Sequence, residues 1–197
     1  MRFDSIRIDH RAIFEMVDSR SSVLDLGCGS GDLLYLLIKE KQVRGQGIDI
    51  DEEAIYRSVE KGLNALHGDI DSGLSEYRDG SFDYVILNQS LQQVRHLETV
   101  LRDALRVGRK VIVGFPNFAY YKARLQLFMG GRAPVTPSLP YTWHESPNVH
   151  FFSIRDFLGY CRSQGIRVER ALYLGNNRRV AVFPNLLATS AVILISR

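Results

Sequence analysis

The chain has 197 residues, enough for one domain with a substantial core and too few for two of ordinary size. Its apolar and charged fractions are ordinary for a globular protein, and a net charge of +3 is too mild to demand nucleic acid or an anionic membrane as a partner. Two cysteines, Cys28 and Cys161, make neither a disulfide framework nor a metal-ligand cluster, so a reducing, cytoplasmic setting is expected.

The start, Met1-Arg2-Phe3-Asp4, has no apolar signal segment. Apolar spacing at Ile8, Ala12, Ile13, Met16 and Val17 predicts a short helix over 8–17. Val23-Leu24-Asp25-Leu26 then reads as a buried strand running into a turn with glycine at alternate positions, Gly27, Gly29 and Gly31. Glycine tolerates positive φ and lets the backbone approach a ligand. The N–H groups opening the next helix, rich in leucine from Leu33 to Leu37, can hold an anionic group. A second strand is expected over 43–50, then a helix from Glu52 to about Lys61 with acids in its first turn. A short third strand covers 63–68, a strongly apolar fourth 82–87, an amphipathic helix 96–106 and a fifth strand 110–115. Strands alternating with helices, and nearly continuous in apolar residues, call for a parallel sheet covered on both faces.

The second half is different in character. After a helix over 119–129 comes a loop over 130–150 that holds Pro134, Pro137, Pro140 and Pro147 together with Tyr141 and the only tryptophan, Trp143. An irregular segment this long inside a domain acts as a lid or a binding segment. Ser153 caps a helix reaching to about Gln164, and strands over 166–174 and 187–196 end the pattern. Residues 180–196 carry no charge, but Pro184 and Asn185 interrupt them and the remainder is too short to cross a bilayer as a helix.

The pattern Asp25-x-Gly27-x-Gly29-x-Gly31 resembles motif I of the Rossmann-like S-adenosylmethionine (SAM)-dependent methyltransferases. It differs from the G-x-G-x-x-G spacing of dinucleotide sites, the rival use of this architecture. The resemblance implies an α/β fold with a seven-stranded, mostly parallel sheet, helices on both faces and the last strand inserted antiparallel. It also implies SAM, or its demethylated product S-adenosylhomocysteine, as ligand. On that reading Asp25, Gly27, Cys28, Gly29 and Gly31 embrace the methionine part, and Asp49 accepts both ribose hydroxyls through its two oxygens. Ile50 packs on the adenine face, Asp69 and Ile70 border the adenine edge, and Asn88 lines the floor beneath the sulfonium. Plainer roles stand beside these: Asp49 as a helix cap, although Asp51 is better placed for it, Asp69 as a turn residue, and Asn88 as a partner for backbone.

Longer stretches are similar to the family of the methionine-biosynthesis protein MetW. They are Phe82-Asp83-Tyr84-Val85-Ile86-Leu87-Asn88-Gln89-Ser90-Leu91-Gln92, Gly114-Phe115-Pro116-Asn117-Phe118 and Arg124-Leu125-Gln126-Leu127. In the loop they are Gly131-Arg132-Ala133-Pro134-Val135-Thr136, Leu139-Pro140-Tyr141-Thr142-Trp143 and Ser146-Pro147-Asn148-Val149-His150, followed by Ile154-Arg155-Asp156-Phe157. One departure is Asp49, where this family is expected to carry Glu. That resemblance implies a SAM-binding accessory subunit for homoserine O-acyltransferase (acetyl- or succinyltransferase). The chain has no Gly-x-Ser-x-Gly elbow with which to transfer acyl groups itself. The alternative is an active small-molecule methyltransferase. Tyr141, His144, Glu145 and His150 are its candidate bases, each also readable as a loop-packing residue, and methyl transfer needs no base if positioning suffices. Asn88-Gln89-Ser90-Leu91 lacks the Asn-Pro-Pro-aromatic motif of nucleic-acid amino-methyltransferases.

Overall fold

The computed structural model describes residues 6–197, so the expected lack of an apolar leader at Met1 to Asp4 lies outside the described residues. In chain order the elements are α1 (Ile8–Met16), β1 (Ser22–Leu26), α2 (Asp32–Lys41), β2 (Arg44–Asp49), α3 (Glu52–Glu60), β3 (Ala65–His67) and β4 (Phe82–Asn88). There follow α4 (Leu97–Val107), β5 (Gly108–Pro116), α5 (Tyr121–Gly130), α6 (Ile154–Ser163), β6 (Arg167–Gly175), β7 (Arg178–Arg179), α7 (Pro184–Leu187) and β8 (Ser190–Ser196). The eight strands form one sheet in the order β3-β2-β1-β4-β5-β8-β6-β7. The first five strands run parallel, and β8 enters antiparallel between β5 and β6.

The sheet thus has eight strands where seven are expected. The additional one, β7, is two exposed arginines paired with the end of β6 through a hairpin that turns at Asn177, φ 54°. Two exposed charged residues carry no apolar alternation, so only the pairing reveals them. The short α7 and a 3-10 turn at Ile70–Ser72 are likewise absent from the apolar pattern.

Successive residues of the central strands feed opposite cores, as the two-residue period of a strand requires. Val85, Leu87, Val111 and Val113 pack with Leu101, Ala104 and Leu105 of α4 and Phe157 of α6. Tyr84, Ile86 and Ile112 face Ile13 of α1 and Leu34 and Leu37 of α2. Burial on both sides is why β4 and β5 read as unbroken apolar runs rather than alternating ones.

Phe115 closes the first core near the end of β5. It is fully buried, with the rings of Phe152 and Phe157 centred 4.8 and 5.0 Å away. Phe152 leads into Ser153, whose hydroxyl and amide are held by Asp156 in a capping box that starts α6. The ring of Phe115 therefore fastens the far end of the long loop to the sheet. Phe115→Ala should cost about 3–5 kcal/mol, read as a lower urea midpoint with an unchanged slope.

Candidate functional site

The strand order reverses between β1 and β4, and a crevice opens there beyond the carboxyl ends of the strands. β1 ends at Leu26, and the chain turns at Gly27 with φ +80°. A Cβ on Gly27 would stand 2.6 Å from that of Ser90, because the Ser90 hydroxyl donates to the Leu26 carbonyl at 2.7 Å and draws the loop after β4 tight against the turn. Gly27 and Cys28 donate their amides to the Ile48 carbonyl of β2. Gly31 then begins α2 in the left-handed region, φ +74°, where a Cβ would meet Leu63 and Ser58.

Asp49 organises the other side. One carboxylate oxygen accepts the Gly29 amide at 2.6 Å and the other the Asp51 amide at 2.9 Å. The N-cap of α3 is Asp51, which accepts from Ala54, so Asp49 is free of that duty and faces the crevice. Asp69 does hold a turn, accepting the Asp71 amide at 2.9 Å, and it also borders the crevice. Asp71 in turn receives the amides of Arg95 and His96 and anchors the start of α4.

The crevice has two joined compartments. The larger, about 600 Å³, is bordered by Asp49, Ile50, Asp69, Ile70, Asp71, Arg95 and Pro147. The smaller, about 200 Å³, is bordered by Arg7, His10, Asp25, Cys28, Gly29 and Asp32. Gly27, Asn88 and Gln89 belong to both. Every residue expected at a ligand borders one compartment or the other except Gly31, whose place is to start α2.

Two acceptors in this crevice are buried without a hydrogen-bond partner, Oδ1 of Asp25 and Oδ1 of Asn88. The amide of Asn88 donates to Asp9 at 3.1 Å, so Asn88 serves a side chain rather than only backbone. Burial, reinforced by the charge of Asp49, pushes the Asp25 carboxyl up to about 7. Burial, with Asp25 next in weight, pushes the Cys28 thiol to about 12, so it stays neutral and is no nucleophile. At the mouth Ile50 leaves 65% of its surface exposed, an apolar face that a flat ring could cover.

The wall supplied by α1 was not foreseen. Arg7 forks onto Asp9 at 3.1 and 2.6 Å, and His10, its pKa lowered by burial, stands opposite the glycine turn. The available signal was three closely spaced ionisable residues, Arg7, Asp9 and His10, at the start of a helix whose other face is apolar. None of Tyr141, His144 and Glu145 borders the crevice. His144 and Glu145 bond to the Thr142 hydroxyl, and Tyr141 lines a separate apolar pocket of about 380 Å³ with Trp143, Phe118 and Phe151. His150 is held by its backbone, since its amide and that of Val149 both donate to the Gln92 carbonyl, which brings Pro147 to the rim of the crevice.

Sheet order, the inserted antiparallel strand and a crevice at a glycine turn define the Rossmann-like fold of SAM-dependent methyltransferases. Two solved SAM-dependent methyltransferases share it. That of Methanosarcina mazei superposes with a TM-score of 0.65 at 18% identity, covering 94% of this chain and 96% of its own. That of Archaeoglobus fulgidus gives 0.66 at 16%, covering 95% and 90%. The [4+2]-cyclase SpnF gives 0.68 at 14%, covering 95% and 80%, so the fold by itself does not name a reaction.

The family model for the methionine biosynthesis protein MetW matches residues 7–195, and the chain belongs to that family. It is 32% identical over 206 residues to a bifunctional methionine biosynthesis protein MetXA/MetW of Rhodopirellula baltica, covering 98% of this chain and 33% of the relative. It is 33% identical over 98 residues to a ribosomal protein L11 methyltransferase of Burkholderia vietnamiensis, covering 49% and 32%. The chain spans about a third of the length of these curated relatives. Among the described residues no helix is long and apolar enough to cross a membrane.

Proposed function

We propose that the chain binds SAM or S-adenosylhomocysteine in the crevice and serves in the cytoplasm as an accessory subunit of a homoserine O-acyltransferase. The observation that carries the ligand is the pair of unpaired buried acceptors on Asp25 and Asn88. An unpartnered buried acceptor is costly, and an ammonium group, three donors on one cation, satisfies such acceptors. The ligand's amino group thus belongs in the smaller compartment, its ribose diol at Asp49 and its adenine between Ile50 and Ile70. SAM, when bound, supplies a sulfonium-activated methyl group. The partner is supported by the relative that joins MetXA and MetW in one polypeptide, and homoserine O-acyltransferase is the enzyme that the family resemblance implies.

The crevice and the partner can be coupled through the loop over 130–150. Its end reaches the rim at Pro147, while its middle faces away into the separate apolar pocket. A ligand that prefers one arrangement of this loop shifts partner affinity by that preference, and partner binding shifts ligand affinity by the same factor. Titration calorimetry with SAM and S-adenosylhomocysteine should show micromolar binding, and the purified acyltransferase should gain activity when this chain is added. Absence of heat with both ligands sinks the ligand assignment, and an unchanged acyltransferase rate without complex formation sinks the partner assignment.

A further inference from the structure

We infer that the outward face of α5, with the aromatic pocket and arginine groove beside it, is the surface on which the acyltransferase docks. This rests on the partner reading above and adds where the contact is made.

A helix at the surface of a globular protein turns its apolar stripe inward. α5 does the reverse. Ala123 is its only buried residue, while Tyr121, Leu125, Phe128 and Met129, spaced i, i+4, i+7 and i+8, form one stripe opposite it. Phe128 is 90% exposed and Met129 75%. Trp143, 79% exposed, stands on the neighbouring loop and lines the apolar pocket, to which α5 contributes Leu127. Contiguous aromatic and sulfur-bearing side chains of this kind mark an interaction site rather than ordinary surface.

Charge selects the occupant. The second cavity against α5, about 610 Å³, is bordered by Arg124, Arg155 and Arg162 with no acid. Among the described residues none of these three forms an ion pair. Along 119–151 the charged residues are Lys122, Arg124 and Arg132 against the single acid Glu145. In a symmetric contact a second copy would set these cations against their own kind. The face fits a protein that offers an apolar anchor flanked by carboxylates. The acyltransferase is argued as that protein because a relative carries a MetXA portion in the same polypeptide, which keeps the two at high effective concentration.

The test uses the whole chain and purified homoserine O-acyltransferase in an interferometry titration. F128E/M129E should weaken binding about thirtyfold or more, the size of a hot-spot loss, and W143A and R155E/R162E should each weaken it. SAM affinity, measured on the same samples, should stay unchanged and reports that each variant is folded. If the wild type binds and all three variants bind equally well, the docking surface is wrong and the partner reading stands. If the wild type neither binds nor activates the acyltransferase, the partner reading fails first. Two other results overturn the assignment: sedimentation of the wild type as a dimer that F128E/M129E dissociates, or wild-type binding to phosphatidylglycerol vesicles that this variant loses.

Discussion

Asp25→Asn should flatten the pH dependence of stability between about pH 4 and pH 7. In the folded chain the carboxyl is raised to about 7, by burial first and then by Asp49, whereas in the unfolded chain it titrates near its ordinary value of about 3.9. Between those values the folded state holds a proton that the unfolded state has released. Stability from this group is therefore complete below about pH 4 and is lost as the pH rises through 7, by about 1.4 kcal/mol per unit. Summed across the window this is about 4 kcal/mol. Asparagine cannot ionise, so at pH 8 the variant should be the more stable protein by an amount of that order, and at pH 4 the two should match. Urea titrations of both proteins at several pH values measure the difference, and parallel curves would contradict it.

The same group gives the ligand a signature. SAM carries an ammonium and a sulfonium, and cations beside Asp25 favour its ionised form. At pH 6 binding should therefore release a proton, so the apparent enthalpy should vary with the ionisation enthalpy of the buffer. With Asp25→Asn that dependence should vanish.

Asp49→Ala should weaken SAM binding about a hundredfold or more, since hydrogen bonds to a charged group contribute about 1.5–3 kcal/mol each. The carboxylate also fastens the Gly29 amide at 2.6 Å, so its loss loosens the glycine turn as well as removing the proposed diol acceptor. Asp51→Ala provides the contrast. Asp51 caps α3 and does not border the crevice, so its loss should cost about 1 kcal/mol of stability and leave SAM affinity intact. Calorimetry and denaturation on the two variants separate binding from capping. Equal losses of affinity would mean that Asp49 acts only through local structure. Asp49→Glu, the residue expected in this family, should retain binding.

The parts of this protein that were legible in its sequence are those whose causes are local. Alternate glycines after Val23-Leu24-Asp25-Leu26 dictate a turn because few residues tolerate its positive φ, and the leucines from 33 to 37 dictate the helix after it. Acids at the ends of β1 and β2 and after β3 gather at one crevice because parallel strands bring their carboxyl ends to one side. The capping box at Ser153 and the buried last strand follow in the same way from near neighbours and apolar runs.

Other features depend on residues far apart in the chain. The wall formed by Arg7 and His10 exists because α1 packs beside the loop after β4, and the bond from Asn88 to Asp9 spans 79 positions. The two-residue β7 owes its state to pairing with β6. Gly31 belongs to the motif by spacing, yet its duty is to begin α2. The helix α5 shows the division most sharply. Its apolar spacing is written in Tyr121, Leu125, Phe128 and Met129, but spacing marks only a stripe. Burial of Ala123 on the opposite side left that stripe turned toward solvent. The sequence by itself therefore determined a crevice at a glycine turn, through local conformational limits and strand direction. Only the tertiary structure decided which apolar surface is left uncovered, because burial belongs to the packed molecule and not to any one segment.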